Sequence, residues 1–248
     1  MGQKRVWAFA LTLLGMVAIA NTARAADIIV ATDTSFVPFE FRQGDKYVGF
    51  DISLWEAIAK ELKLDYELRP MDFNGIIPAL QTGNIDVAIA GMTIKSEREK
   101  VIDFSHPYYN TAVIMMVRTE TNDITMPEHV KGRVAAVKTG TTSVDIARKL
   151  GASEIKQFPN IDAAYMEVRL GNADVALYDA PNIHYYIKVA GDGKVKAVGP
   201  EMDGQTYGIA FPQGSKLREL VNIALLKMIE DGRYAAIYRQ WFGKGPDE

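Results

Sequence analysis

Seven residues, Gly83-Asn84-Ile85-Asp86-Val87-Ala88-Ile89, return 88 positions later as Gly171-Asn172-Ala173-Asp174-Val175-Ala176-Leu177. A helix-like segment precedes each copy, from Phe73 in the first and from Ile161 in the second. A looser match pairs Ile28-Ile29-Val30-Ala31 with Val134-Ala135-Ala136-Val137. Two lobes of one design account for both echoes; chance recurrence of common strand residues is the alternative.

The segments between the echoes alternate in period. Asp27–Thr32 is a short β-branched run and reads as a buried strand. Tyr47–Phe50 follows a Gly44-Asp45 turn, as a hairpin partner would. Ile52, Leu54, Trp55, Ile58, Ala59 and Leu62 fall at helical spacing and predict a helix over Ser53–Leu64. Leu64–Arg69 reads as a strand, Gly75–Gln81 as a helix and Ile85–Ala90 as a strand. Strands alternating with helices give an α/β chain with mostly parallel sheets.

The front end reads differently. Lys4 and Arg5 precede an uncharged apolar run, Val6 to Ala20, and Ala23-Arg24-Ala25 offers small residues at both positions a signal peptidase reads. The run is shorter than the roughly 20 residues of a spanning helix. An export signal over 1–25, cleaved before Ala26, is the expectation, with an uncleaved anchor as the alternative. The whole chain has 28 Lys and Arg against 31 Asp and Glu. Losing Lys4, Arg5 and Arg24 with the leader takes the net charge from −3 to −6. An acidic exported chain is a poor nucleic-acid binder, because phosphate contacts need basic patches. There is no cysteine, which excludes disulfides, thiolate catalysis and cysteine-held metals.

The strand ends carry the chemistry. The first-lobe strands run into Asp33 and Gly91-Met92-Thr93, and the second-lobe strands into Lys138 and Tyr178-Asp179. Ligands of open α/β sheets sit beyond the carboxyl ends of the strands, and two lobes facing across a cleft would bring all four ends together. Ser96 with Glu99 forms a capping box and predicts a helix start there. Arg98, in its first turn, offers bidentate geometry to a carboxylate, with the Thr93 hydroxyl nearby; a solvated arginine on a charged helix is the alternative. Asp179 could accept from an ammonium or cap the helix containing Asn182. Lys138-Thr139-Gly140-Thr141-Thr142-Ser143 is a strand exit and helix start whose N–H groups suit an anion. Phe36 and Phe73, near strand exits, could sandwich an aliphatic stem or belong to the core. His106, His129 and His184 lack metal-ligand spacing, no G-x-S-x-G occurs, and no acid/base pair stands out. No catalytic residue, metal or cofactor is assigned.

Several blocks in order resemble one family. They are A-T-D-T-S-F-V-P-F-E-F (31–41), Q-G-D-K-Y-V-G-F-D (43–51), A-I-A-K-E-L-K-L-D-Y-E-L (57–68) and M-D-F-N-G-I-I-P-A-L-Q-T (71–82). Q-F-P-N-I-D (157–162), Y-G-I-A-F-P (207–212) and W-F-G (241–243) complete the set. The chain resembles the periplasmic polar-amino-acid-binding proteins of ABC transporters (solute-binding protein family 3), its glutamine-binding members above all. The resemblance implies a two-lobed periplasmic-binding-protein fold, with two Rossmann-like lobes joined by two hinge strands. Lobe one would take 26–108 and 208–248, lobe two 114–202, and the hinges 109–113 and 203–207.

By the same resemblance, Arg98 and Thr93 would hold the ligand α-carboxylate with the Thr142 backbone N–H. Asp179 and the Gly91 carbonyl would take the α-ammonium, Phe36 and Phe73 would flank the stem, and Asp33 and Lys138 would reach the side-chain end. A carboxamide needs one acceptor and one donor, which Asp33 and Lys138 supply; their charges cancel, and a charged side chain would be mispaired. Three departures stand out. Tyr178 replaces a histidine beside the ligand, Thr142 replaces a glycine, and Ser53, expected on the helix surface, replaces an acidic residue. The implied function is a monomeric periplasmic binding protein delivering L-glutamine to an inner-membrane ABC permease, with arginine or glutamate as rival ligands. A periplasmic enzyme of the cyclohexadienyl dehydratase kind and a sensory module are readings of other classes.

Overall fold

Strand β1 (Ile28–Asp33) buries Val30, Ala31, Thr32 and Asp33 almost completely, as a strand covered on both faces does. The computed structural model describes residues 28–246, so the expected export signal and its cleavage point lie outside the described residues. After β1 comes a small antiparallel sheet of β2 (Ser35–Phe36), β3 (Glu40–Gln43) and β4 (Lys46–Val48). Then follow α1 (Phe50–Leu62), β5 (Tyr66–Met71), α2 (Phe73–Gln81), β6 (Val87–Ala88), α3 (Ser96–Glu99) and β7 (Ile102–Phe104). The chain crosses over in β8 (Tyr109–Arg118) and, past a 3-10 turn at Pro127–Val130, forms β9 (Val134–Lys138), α4 (Thr142–Lys149), β10 (Glu154–Phe158), α5 (Ile161–Leu170), β11 (Val175–Asp179) and α6 (Ala180–Ala190). It returns in β12 (Val195–Tyr207) and ends with β13 (Ala210–Pro212), α7 (Leu217–Glu230) and α8 (Arg233–Phe242).

Two five-stranded sheets result, ordered β5-β1-β6-β13-β7 and β10-β9-β11-β8-β12. They match position for position. The first three strands of each are parallel, and the fourth is antiparallel to the third. In each lobe that fourth strand is the one on which the chain arrives from the other lobe. The echoed motif has a physical job. Asp86 accepts the Ile29 N–H at 2.8 Å and donates its own N–H to Ile29 O; Asp174 does the same with Val134, again at 2.8 Å. Each aspartate locks the strand it leads into, β6 or β11, to its neighbour β1 or β9. The clamps align Ile29 with Val134, so the β1 and β9 repeats match at an offset of 105, one less than the apolar pattern suggests. At that offset Asp33 and Lys138 are equivalent positions.

Local departures from the sequence reading have identifiable causes. Helix α1 starts at Phe50 rather than Ser53, because the Phe50 and Asp51 N–H groups bond to Pro38 O and Phe39 O and so build the first turn against the hairpin. The strand expected over Tyr47–Phe50 therefore stops at Val48. Lys63 closes α1 in the left-handed conformation. Only Val87 and Ala88 form β6, although Asp86 and Ile89 also bond to β1. The N-cap of α3 is Lys95, without a side-chain cap bond, so Ser96 is the first helical residue and the capping box does not form. Ser53 is half-buried and its hydroxyl accepts the Trp241 indole N–H at 3.0 Å, tying α1 to α8.

The two crossings run side by side, with Tyr109, Asn110 and Thr111 opposite Tyr207, Thr206 and Gln205. The ladder is irregular from Val198 to Gln205. Tyr109 stacks on Tyr207 (5.6 Å, 18°) and on Tyr238 of α8 (5.7 Å, 20°). Phe39 meets both crossing tyrosines edge-on and stacks on Phe36 at 4.7 Å. This aromatic column carries the crossings up to the carboxyl ends of the strands. Among the described residues no helix is long and apolar enough to cross a membrane.

Candidate functional site

The carboxyl ends of the two sheets close on one another. A cavity of about 10 Å³ lies between them, room for roughly one water. Phe36, Phe73, Ala90, Gly91, Thr93 and Arg98 line it from one side, and Thr141, Thr142, Tyr178 and Asp179 from the other. Eight of the ten residues singled out from the sequence are on this wall. Asp33 and Lys138 are not; they are buried beyond it, as a pair.

Arg98 is 7% exposed, so the solvated alternative does not hold. Its guanidinium lies over the Phe73 ring at 5.4 Å, donates to Thr93 O at 2.8 Å and reaches across the cleft to Gly140 O at 3.0 Å. Burial lowers its pKa to about 10, opposed by Asp179 and Asp145, so it stays charged at neutral pH. Thr93 and Thr142 both donate hydroxyls to Gln205 Oε1 on β12, at 2.6 and 3.0 Å. Gln205 thereby bridges the lobes at a crossing strand. Thr142 opens α4, where backbone N–H groups have no intrahelical acceptor.

Asp179 occupies the N-cap position of α6, yet its side chain makes no cap bond. It accepts instead from the Tyr207 hydroxyl at 2.5 Å. Desolvation pushes its carboxyl up to about 6, against the Tyr207 bond and the attraction of Arg98 and Lys138. Arg98 and Asp179 thus present opposite charges to one cavity from opposite lobes. Tyr178 is buried and meets Phe36 edge-on at 5.4 Å. Asp33 and Lys138 form an ion pair across the lobes with almost no exposure. Burial raises the Asp33 pKa, while Lys138 and the Thr34 N–H (2.7 Å) pull it down. Asn182 Nδ2 to Val37 O (2.7 Å) and Lys95 to Asp145 (2.8 Å) are further bonds between the lobes.

Sequence reasoning missed Gln205, Tyr207 and Ala90, whereas Thr141 belongs to the turn read as suited to an anion. Tyr207 opens the Y-G-I-A-F-P block and could have been found there; Gln205 sits in a polar stretch with no signal. His106, His129 and His184 are all exposed and away from the cavity. Among the described residues no group of three or more His, Cys, Asp or Glu could hold a metal ion.

Known proteins are similar to this chain over most of its length. The "Arginine-binding extracellular protein ArtP" of Bacillus subtilis (strain 168) is 30% identical over 239 residues, covering 94% of this chain and 93% of that protein. The structure of "an ancestral arginine-binding protein bound to glutamine" superposes with a TM-score of 0.84 at 42% identity, covering 88% of this chain and 98% of the other. The ancestral protein bound to arginine gives 0.82 at 42% identity, over 87% and 97% of the two chains. The profile of the bacterial extracellular solute-binding proteins, family 3, matches residues 28–244. With that span covering both sheets, both crossings and the cavity between them, the chain belongs to the bacterial extracellular solute-binding proteins of family 3.

Proposed function

We propose that the protein is the periplasmic binding component of an amino-acid ABC importer and that its ligand is L-glutamine. The carrying observation is the placement of the buried Arg98 guanidinium and the Asp179 carboxylate on one cavity from opposite lobes. Their charges complement the carboxylate and ammonium of a zwitterion. The Thr93 hydroxyl and the first N–H groups of α4 complete the carboxylate side, and the Gly91 carbonyl joins Asp179 on the ammonium side. A free amino acid is larger than the closed cavity, so binding requires the lobes to part and reclose. Segments 109–113 and 203–207 would be the hinges, between lobes of 26–108 with 208–248 and of 114–202. The leader would be removed before Ala26, and the closed monomer would present both lobes to the permease.

The side-chain preference follows from charge. Asp33 and Lys138 are already paired and jointly neutral. An amide can accept from Lys138 and donate to Asp33 without adding net charge. Glutamate would set a second anion beside Asp33 and leave it without a partner. Arginine is the second reading, favoured by the ancestral structures that hold either glutamine or arginine.

Calorimetric titration of the mature protein, refolded to strip bound ligand, tests this with glutamine, arginine, glutamate and histidine. The expected result is a micromolar or tighter Kd for glutamine, roughly −8 kcal/mol or better. Preferential arginine binding would reverse the specificity reading and keep the binding role. Absence of binding to all four, with turnover of a cyclohexadienyl acid, would replace the transport reading by an enzymatic one.

A further inference from the structure

Glu40 on β3 and Asp51 on α1 are fully buried, and neither lines the cavity. Both Glu40 carboxyl oxygens and Asp51 Oδ1 lack any donor. The other Asp51 oxygen, Oδ2, accepts from the Gly91 N–H at 2.8 Å and from the Tyr108 hydroxyl at 2.7 Å. The Glu40 and Asp51 carboxyls are close enough to act on each other's protonation. The buried Thr32 Oγ1 and Trp55 Nε1 are also without partners, so neither reaches Glu40. Two carboxyls facing each other in an apolar site cannot both be ionised, and a proton between them serves both.

The chain is built to bring this pair together. Gly49 has φ 139°, and a Cβ there would lie 1.9 Å from Phe39 O. Only glycine lets α1 close onto the hairpin, where the Asp51 N–H reaches Phe39 O at 2.9 Å and its carboxyl faces Glu40. The far side of Asp51 ends at the cavity. Gly91 has φ +53°, and a Cβ there would strike the Phe36 ring at 2.2 Å.

We infer that Glu40 and Asp51 share one proton and act as positioning residues that hold Gly91 in place at the ammonium side of the site. This rests on the amino-acid-binding reading above. Neutral Glu40 donates to Asp51 Oδ1, and Asp51 keeps its charge for Gly91 and Tyr108. The facing groups agree. Burial pushes Glu40 well above the usual carboxylate range, the Asp51 charge and Asp33 on β1 add to this, and Lys138 on β9 opposes them. Tyr108 and Tyr178 on β11 are neutral phenols, their ionisation suppressed by burial and the nearby acids. Loss of the shared proton at higher pH would set two anions face to face and release Gly91.

The test uses the mature protein with Glu40→Gln, Glu40→Leu and Asp33→Asn. At neutral pH the wild type should show a protonated-carboxyl stretch in the infrared that is absent in Glu40→Gln and kept in Asp33→Asn. The Gly91 amide resonance should titrate at alkaline pH in the wild type and stay flat in Glu40→Gln. Glutamine affinity should stay within about threefold in Glu40→Gln, whose amide replaces the donor, and fall about tenfold in Glu40→Leu. A carboxyl band that is missing from the wild type or survives Glu40→Gln overturns the inference. So does equal loss of affinity in Glu40→Gln and Glu40→Leu. If the wild type binds no amino acid, the binding reading fails, while the infrared band and the Gly91 titration still decide the shared proton in the free protein. Both readouts survive if the leucine variant does not fold.

Discussion

Compare the two lobes strand by strand. Their amino ends are the same machine: Asp86 and Asp174 clamp β1 and β9 at equal distances. Their carboxyl ends are opposites: at the position where β1 carries Asp33, β9 carries Lys138, and where the first lobe has Gly91 the second has Asp179. The repeat therefore keeps what holds a sheet and changes what faces the other lobe. Two identical ends facing each other would repel or leave groups unpaired; complementary ends attract.

The largest effect should come from breaking that complementarity at its most buried point. Lys138→Met leaves the Asp33 carboxylate without its cation, a loss of about 3–5 kcal/mol if the lobes stay closed. Opening lets Asp33 regain water, so the effect should appear in closure rather than in unfolding. X-ray scattering should show a larger radius of gyration for Lys138→Met, and the double variant Asp33→Asn/Lys138→Met should return toward the wild type. Equal expansion of the single and double variants would mean that the opposed charges do not hold the lobes together.

Next in size is Arg98→Ala, the first lobe's contribution to the proposed zwitterion site. Charged hydrogen bonds are worth about 1.5–3 kcal/mol each, so calorimetry should show affinity reduced about a hundredfold. Near-normal binding would remove Arg98 from the carboxylate site.

The second lobe's counterpart, Asp179, gives a pH signature. Its pKa rises from 3.8 to about 6 in the folded protein, so an ammonium loses this acceptor as pH falls below about 6. Affinity should drop up to tenfold per pH unit there, and Asp179→Asn should flatten the profile. Folding stability moves the other way. The folded state binds the proton more tightly than the unfolded chain, so this stabilisation is complete below about 3.8 and is lost as pH rises through about 6. Asp51, also raised to about 6 by burial, adds to the stability trend. Urea titrations at several pH values separate it from the binding effect.

The same contrast explains what could be read in advance. The sheet-building half of each lobe shows in the sequence because apolar alternation and Gly-Asn-x-Asp punctuation are local. The one-residue error in aligning β1 with β9 arose because β-branched runs slide freely against each other, and only the aspartate clamps fix the register. The residues of the cavity wall were recognised through the strand ends and the family motifs. The burial of Arg98 was not readable, because its neighbours Lys95, Glu97, Glu99 and Lys100 make a polar segment and the covering Gly140 comes from the other lobe. Gln205 acts only through partners distant in sequence, Thr93 and Thr142, and a polar residue such as Glu40 carries no local mark of its eventual burial.

The clamps test the shared half of the comparison. Asp86→Ala and Asp174→Ala should each cost about 1 kcal/mol in urea unfolding, as loss of a hydrogen bond to a backbone N–H does. Asp174 is the less exposed of the two, so its loss should be slightly larger. Neither change should alter ligand specificity, because both lie at the amino ends of the sheets. A specificity change from either would undo the division between scaffold ends and ligand ends.

The smallest effect should come from the other inter-lobe ion pair. Lys95 and Asp145 meet at 2.8 Å, like a buried pair, but their side chains are 28% and 56% exposed. Asp145 is also held by Arg148 at 2.9 Å, so it keeps a cation when Lys95 is removed. Exposed pairs contribute about 0.2–1 kcal/mol, and Lys95→Ala should weaken ligand binding less than about fivefold at low salt. At about 1 M salt, where the screening length is near 3 Å, the difference should vanish. The Lys138→Met effect should persist, because no counterion reaches a pair with almost no exposure. A salt-resistant loss in Lys95→Ala would place this contact inside the closed cleft with Asp33 and Lys138. A salt-sensitive one leaves it as a rim contact, and the two pairs then differ in energy because of water rather than distance.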